Sequence, residues 1–403
     1  MTQPDVAHAP HSHRLAAHSA AIAAPDDLVR HLGPGGFAWI DGDAGFVTSG
    51  VVAHVAPPEA RALLESIVHL ADGDTPAAAG PRAVGALPFS GAGRLVVPAR
   101  IIARDRDGRA WRTDIERTDI EGTDIEGTGA DASIHGAPRE PERFTVAPRT
   151  TRHEWHAMVR RALDLVERDV LEKVVLARAV EVEADAPFDP RAVLARLRAT
   201  QPGCVVYGDG RFVGASPELL VRKQGRAVTS RPLAGTASPE NGEALLHSVK
   251  DRHEHRVVVD AVAAALAACC TGVRVEGPHP LVLESVAHLA TSITARSEVD
   301  TDVMRLVAGL HPTPAVAGTP RAAALAAIRA IEPVGRDRYA GPCGWVDAAG
   351  DGEFVVALRG GLLAGPRATL HAGAGIVAGS DPDAEWAETQ AKLTPMVQAL
   401  VRP

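Results

Sequence analysis

From Pro148 to the C-terminus the sequence never settles into one periodicity, and that alternation limits what the chain can fold into. HEWHAMVRRALDLVERDV, from His153, carries apolar residues at helical spacing, whereas EKVVLARAVEVEA, from Glu172, is a valine-rich strand. CVVYGDGRFVGASPELLVRK, from Cys204, divides at Asp209 and Gly210 into two strands with a hairpin signature. Residues 243–270 and 382–401 have helical patterns, and GEFVVALRGGLL with RATLHAGAGIVAG reads as a strand pair. Upstream, Phe37 to Val55 and Arg82 to Ala103 are short apolar runs broken by Gly and Pro, again strands. Strands outnumber long helices, and hairpins mix with helical connections. The expected fold is α+β, with large, mostly antiparallel sheets flanked by helices. No break in composition divides residues 26–403, so one large domain is expected there.

Of the 403 residues, 46% are hydrophobic, which is ample for a core of this size. A net charge of -8 without a dense basic stripe argues against nucleic acid as partner. No run approaches the ~18 apolar residues of a membrane-spanning helix, and MTQPDVAHAPHSHRLAAHS lacks the pattern of a secretory signal, so a cytoplasmic protein is expected. Cys204, Cys269, Cys270 and Cys343 form no CxxC pair and read as buried structural residues. Arginine is preferred so heavily that only Lys173, Lys223, Lys250 and Lys392 remain, which directs attention to each of them. Residues 1–25, rich in Ala, His and Pro, read as a loose tail, with His8, His11, His13 and His18 solvated on it. TDIERTDIEGTDIEGTGADAS, from Thr113, repeats a short acidic unit that has no face to bury, and is expected to be an exposed insertion spanning about 113–140.

Two helical segments carry paired acids. Asp251 and Glu254 stand three apart in VKDRHEHRVVVDAV, and Glu385 and Glu388 repeat the spacing in SDPDAEWAETQAKL, where Asp381 and Pro382 start the helix. Like charges at this spacing disfavour a bare helix. They are either solvated faces or, if the two helices meet, oxygen ligands suited to a hard cation such as Mg²⁺ rather than to zinc. Lys173 opens an apolar strand and is either a desolvated general base or a lysine reaching to the sheet edge. Glu218, just before Leu219, Leu220 and Val221, is either an ordinary strand-end residue or a carboxyl kept protonated by its apolar neighbours. In EFVVALRG, alternation places Arg359 on the face opposite Phe354, where it could hold a carboxylate in two parallel hydrogen bonds. The glycines of AGAGIVAGSD miss the GxGxxG spacing, which argues against a dinucleotide fingerprint. His288 and His311, in apolar or proline-rich settings, read as hydrogen-bonded structural residues.

In order along the chain, KVVLAR, GASPELL, SRPLAGT, KDRHEH, VAHLATSI, LHPTPAVAGTPR, YAGPCGWVD, FVVALR, HAGAGIVAGSDP and EWAETQAKL resemble the chorismate-utilising enzymes. The resemblance runs from about residue 145 to the C-terminus, with AVGALPFS a weaker upstream extension. It implies a single domain of two packed antiparallel sheets and a Mg²⁺-dependent site for chorismate. Isochorismate and salicylate synthases are similar in carrying a lysine where Lys173 stands, which implies water as nucleophile and no glutaminase partner. PLAGT, with Ala234, lacks the nucleophilic lysine of the aminodeoxychorismate synthases. The resemblance implies Lys173 as general base and Glu218 as general acid. It further implies Glu254 and Glu388 as metal ligands, supported by Asp251 and Glu385. Gly235, Thr236 and Lys392 are implied beside the ring carboxylate, and Arg359, Tyr339, Gly373 and Gly375 beside the enolpyruvyl carboxylate. His288 joins the implied substrate-binding set, and Ala315 favours isochorismate synthase over the pyruvate-eliminating salicylate synthases. A chorismate-binding protein without catalysis is the reading from another class. A monomer or weak dimer is expected.

Overall fold

The computed structural model describes residues 14–76, 78–118 and 140–401. Its strands form two sheets, of 13 and 10 strands, in which neighbours are antiparallel except for Arg14–Ile22 beside Val68–Ala71. The larger sheet has at its middle the run Lys173–Ala184, Arg367–Ile376, Gly360–Ala364, Phe212–Ser216 and Val205–Asp209. The second runs from Leu233–Ala237 through Ala287–Ser297, Ala227–Arg231, Leu219–Gln224 and Gly352–Val356 to Pro342–Asp347 and beyond. Buried side chains of both sheets meet in one core, with the Phe46 ring edge-on to Trp345 at 6.2 Å. A second cluster, with Val180, Leu194, Leu370 and Met396, seats the helices Pro190–Thr200 and Pro382–Val401 on the outer face of the larger sheet. This is the α+β architecture that the element pattern predicts.

Local signals explain most boundaries. The helix Arg152–Glu167 begins with a capping box, in which Thr151 and Glu154 satisfy each other's backbone N–H groups. Asp381 Oδ1 accepts from the N–H groups of Asp383 and Ala384 at the start of Pro382–Val401. The hairpin closes at Asp209 opposite Phe212, with Gly210 at φ +61° in the turn.

Three expectations need correction. Arg14–Ile22, placed by composition in the loose tail, is a strand paired along its length with Ala110–Thr118. It is flanked on its other side by Val68–Ala71, and pairing rather than periodicity orders it. The first repeat unit, Thr113 to Arg117, and the following Thr118 therefore belong to a strand, and residues 119–139 of the insertion lie outside the described residues, as do His8, His11 and His13. GEFVVALRGGLL is not one strand. Gly352–Val356 belongs to the smaller sheet and Gly360–Ala364 to the larger, where it pairs with Arg367–Ile376. Arg359 stands in the link between them at φ +47°, so strand alternation is not what sets its direction.

Candidate active site

Two of the crossings between the sheets lie side by side. One runs from Phe212–Ser216 through Pro217 and Glu218 to Leu219–Gln224; the other runs from Gly352–Val356 through Ala357, Leu358 and Arg359 to Gly360–Ala364. The Val356 N–H donates to the Glu218 carbonyl at 3.1 Å, the Ser216 hydroxyl to the Val356 carbonyl at 2.6 Å, and the Ala215 N–H to the Arg359 carbonyl at 3.2 Å. These hydrogen bonds thus fix the backbone positions of one acidic and one basic residue, both at most 5% exposed. They line a cavity of about 70 Å³.

Burial pushes the Glu218 carboxyl up to about 8, against the opposing pull of Lys173, the Leu233 N–H and Lys392. At neutral pH it holds a proton. Arg359 donates from Nη2 to His288 Nε2 at 3.2 Å, and the His288 Nδ1–H donates to the Gly235 carbonyl at 3.0 Å. A carbonyl only accepts, so the proton sits on Nδ1 and Nε2 is left as acceptor for the arginine. Burial first, and then the Arg359 charge, hold His288 well below the usual imidazole value, consistent with a neutral ring. Arg359 Nη1 is buried without a hydrogen-bond partner. An orphaned guanidinium N–H in a cavity wall is a ready donor to a carboxylate. His288 lines the cavity, where the resemblance implies a substrate-binding residue, and its hydrogen bond aims Arg359.

Lys173 is 1% exposed, but its ammonium is not bare, because Nζ stands 2.9 Å from Glu254 Oε1. The pair exists because Gly375 has no side chain. A Cβ there would come within 2.4 Å of Glu254 Oε1 and 3.0 Å of Lys173 Cε. Burial works to raise the Glu254 carboxyl, and the ammonium groups of Lys173, Lys392 and Lys250 outweigh it and hold it low. Lys392 donates to Glu388 at 2.6 Å and to the Gly373 carbonyl at 3.0 Å. Lys250 donates to Glu385 at 3.0 Å. Burial first, and then its neighbour Glu388, push the Glu385 carboxyl up.

The helices Val249–Ala267 and Pro382–Val401 therefore bring Glu254, Glu385 and Glu388 to one region, each on its own lysine. Among the described residues no three carboxylate, histidine or cysteine groups stand close enough together to hold an ion as they are. The donor chemistry still suits a hard cation, since all three donors are carboxylates. Lys250 is the stand-in that shows it: burial works to lower its ammonium, and Glu385, Glu254 and Glu388 together overcome this and raise it. Asp251 lies to one side, with its Cβ 3.1 Å from where a Gly235 side chain would begin.

Gly235, Thr236, Ala315, Tyr339, Gly373 and Gly375 all line the cavity, as the resemblance implies. The Tyr339 ring stacks on His371 at 5.4 Å, and burial pushes its phenol up. Sequence reasoning missed Lys250, Arg336 and His371. Arg336 pairs with Glu332 and donates to the Val316 and Val175 carbonyls, bracing the cavity wall. The scarcity of lysine was a usable signal for Lys250, but nothing in the sequence marks Arg336 or His371.

A family model described as chorismate binding enzyme matches residues 109–401. "Isochorismate synthase MenF" of Bacillus subtilis is 37% identical over 270 residues, which span 64% of this chain and only 57% of that protein. "Isochorismate synthase DhbC" of the same organism is 35% identical over 343 residues, 79% of this chain and 81% of its own length. The solved structure of MenF, the menaquinone-specific isochorismate synthase from Escherichia coli, superposes with a TM-score of 0.80 at 26% identity, covering 98% of this chain and 97% of that one. The chain belongs to the chorismate binding enzyme family.

Proposed function

We propose that the chain is an isochorismate synthase, a Mg²⁺-dependent isomerase that converts chorismate to isochorismate. The observation that carries this reading is a buried carboxyl that keeps its proton at neutral pH, facing a cavity shared with a buried lysine and an orphaned guanidinium donor. Such a pair supplies a general acid and a general base to one substrate.

Lys173 would take a proton from water as its oxygen adds to C2 of the ring. The ring double bond shifts, and the C4–O bond breaks. Glu218 would give its proton to the departing hydroxyl, which leaves as water. Substrate and product have the same composition, and the two side chains end with their protons exchanged, to be reset by solvent. Lys173 acts as the free amine, so its pairing with Glu254 has to be broken in the working enzyme. Arg359, aimed by His288, would hold the enolpyruvyl carboxylate with Tyr339 and the backbone at Gly373 and Gly375. Gly235, Thr236 and Lys392 would border the ring carboxylate. Glu254 and Glu388 would hold Mg²⁺, with Asp251 and Glu385 in support, and the ion would supply positive charge against the ring carboxylate. Ala315, small and apolar on the cavity wall, leaves the enolpyruvyl group room and offers no hydroxyl to fix it for elimination.

Water as nucleophile needs no glutaminase subunit, and a monomer or weak dimer suffices because every implied site residue comes from one chain. The four cysteines are free, which supports a cytoplasmic setting. Among the described residues no helix is long and apolar enough to cross a membrane. Incubation with chorismate and Mg²⁺, with products resolved by chromatography and mass, tests the reading. Isochorismate is expected, with no turnover in chelator. Pyruvate released in proportion to chorismate consumed would instead identify a salicylate synthase, and no conversion at all a binding protein.

A further inference from the structure

Two buried arginines, Arg359 and Arg178, line cavities without an ion-pair partner among the described residues. The first faces the candidate active site. Arg178, on the strand Lys173–Ala184, is 1% exposed and forms part of the wall of a separate groove of about 490 Å³, on the outer face of the larger sheet. The groove lies between that strand, its neighbour Phe144–Pro148 and the helix Pro382–Val401. Arg178 Nε donates to Thr389 Oγ1 at 2.6 Å, another N–H goes to the Gln390 side chain, and the guanidinium lies 3.8 Å over the Trp386 ring. All three partners are neutral. Among the described residues lining the groove, Arg178 is the only charged one, and Val146, Pro148, Val180, Leu393 and Val397 supply apolar lining. Burial lowers the Arg178 guanidinium to about 10, which still leaves it charged at neutral pH. A buried charge without a counter-ion is costly, and Arg336 shows the usual remedy in its pair with Glu332.

We propose that this groove is a second ligand site, for an apolar-bodied monocarboxylate of about the size of benzoate or naphthoate. Its carboxylate completes the charge of Arg178, and its body lies along the valine, proline and leucine wall. The site is distinct from the catalytic cavity but shares a helix with it. Trp386 and Gln390 line the groove, and Lys392 of the same helix lines the cavity, paired with Glu388. An occupant therefore bears directly on the helix that carries the acids.

The test is titration of the full chain with 1-naphthoate and with its neutral carboxamide, read by tryptophan fluorescence. Saturable binding is expected for the carboxylate, about tenfold or more tighter than for the amide. Val146 is half exposed on its strand, so Val146→Asp is tolerated by the fold and places a like charge at the groove. It should weaken naphthoate by about tenfold, whereas Val146→Lys should not, and chorismate turnover should be the same in both. Arg359→Lys controls for binding in the catalytic cavity and should leave this event in place. Equal affinity for carboxylate and amide, no effect of Val146→Asp, or loss of the signal in Arg359→Lys would each overturn the assignment.

Discussion

Replacing Glu218 by Gln removes a group whose proton only the folded chain retains at neutral pH. In the unfolded chain this carboxyl titrates near 4.5, and burial raises it to about 8 in the folded one. Between those values the folded state holds a proton that the unfolded state has released, so the contribution to stability falls as pH rises through this window. The loss is absent below about 4.5 and complete above about 8. At 1.36 kcal/mol per pH unit it reaches about 4 kcal/mol at pH 7.5. Gln keeps the shape of the protonated carboxyl and does not titrate. Glu218→Gln should therefore be more stable than the parent at pH 7.5 by an amount of that order, and the gap should close as pH falls to 4.5. The difference between the two proteins at each pH isolates this group from every other titration. Denaturant melts of both, in chelator, across pH 4.5 to 8 provide it. A difference that stays flat with pH would refute the argument that Glu218 is desolvated and neutral. The same variant should lose about 10²- to 10⁴-fold in kcat, because the stabilised state is the one that has no proton to give. A Gln variant that turns over normally would remove Glu218 from the mechanism.

In the parent, kcat/KM should fall as pH rises through about 8, where Glu218 loses its proton, and a profile still rising there would contradict the acid role. Lys173→Ala should lower kcat by about 10²- to 10⁴-fold with little change in KM, measured by steady-state product formation, since a base acts on the transition state. Gly375→Ala drives a Cβ to 2.4 Å from Glu254 Oε1 and should impair both turnover and Mg²⁺ affinity measured by calorimetry; unchanged values would mean that the Lys173–Glu254 pair is incidental. Lys250→Met removes the cation that competes for Glu385 and should tighten Mg²⁺ binding by about tenfold, whereas Lys250→Arg should stay near the parent. Weaker binding in Lys250→Met would make Lys250 a support of the metal site rather than its rival.

Strands and helices after Pro148 were legible because burial imposes a period, and the hairpin at Asp209 because two turn residues separate two apolar runs. The strand Arg14–Ile22 was not, since its alanines, serine and histidine show no contrast between faces, and its partners Ala110–Thr118 and Val68–Ala71 order it. Glu218 and Lys173 were legible as candidates from their apolar surroundings, but the partner of Lys173 was not. Glu254 is 81 positions away, and the contact depends on a missing side chain at Gly375, which no local pattern encodes. Arg359 was found for an incomplete reason. Alternation suggested a face, whereas a positive φ in a crossover between two sheets sets its direction, and a long-range contact with His288 aims it. Recognition of ordered motifs supplied the chorismate reading, which spacing alone could not.

The four lysines have a consequence for handling the protein. Lys173 and Lys223 are sealed by burial and by Glu254 and Asp351, and Lys392 is one-fifth exposed on Glu388, so Lys250, with 44% of its side chain open, is the most accessible side-chain amine. An acylating dye or an amine-coupled resin would thus find most of the surface unreactive and attach first beside the acids of the catalytic cavity. The extent of labelling at Lys250 becomes a footprint of what engages Glu385, and attachment for immobilisation belongs on a cysteine introduced elsewhere.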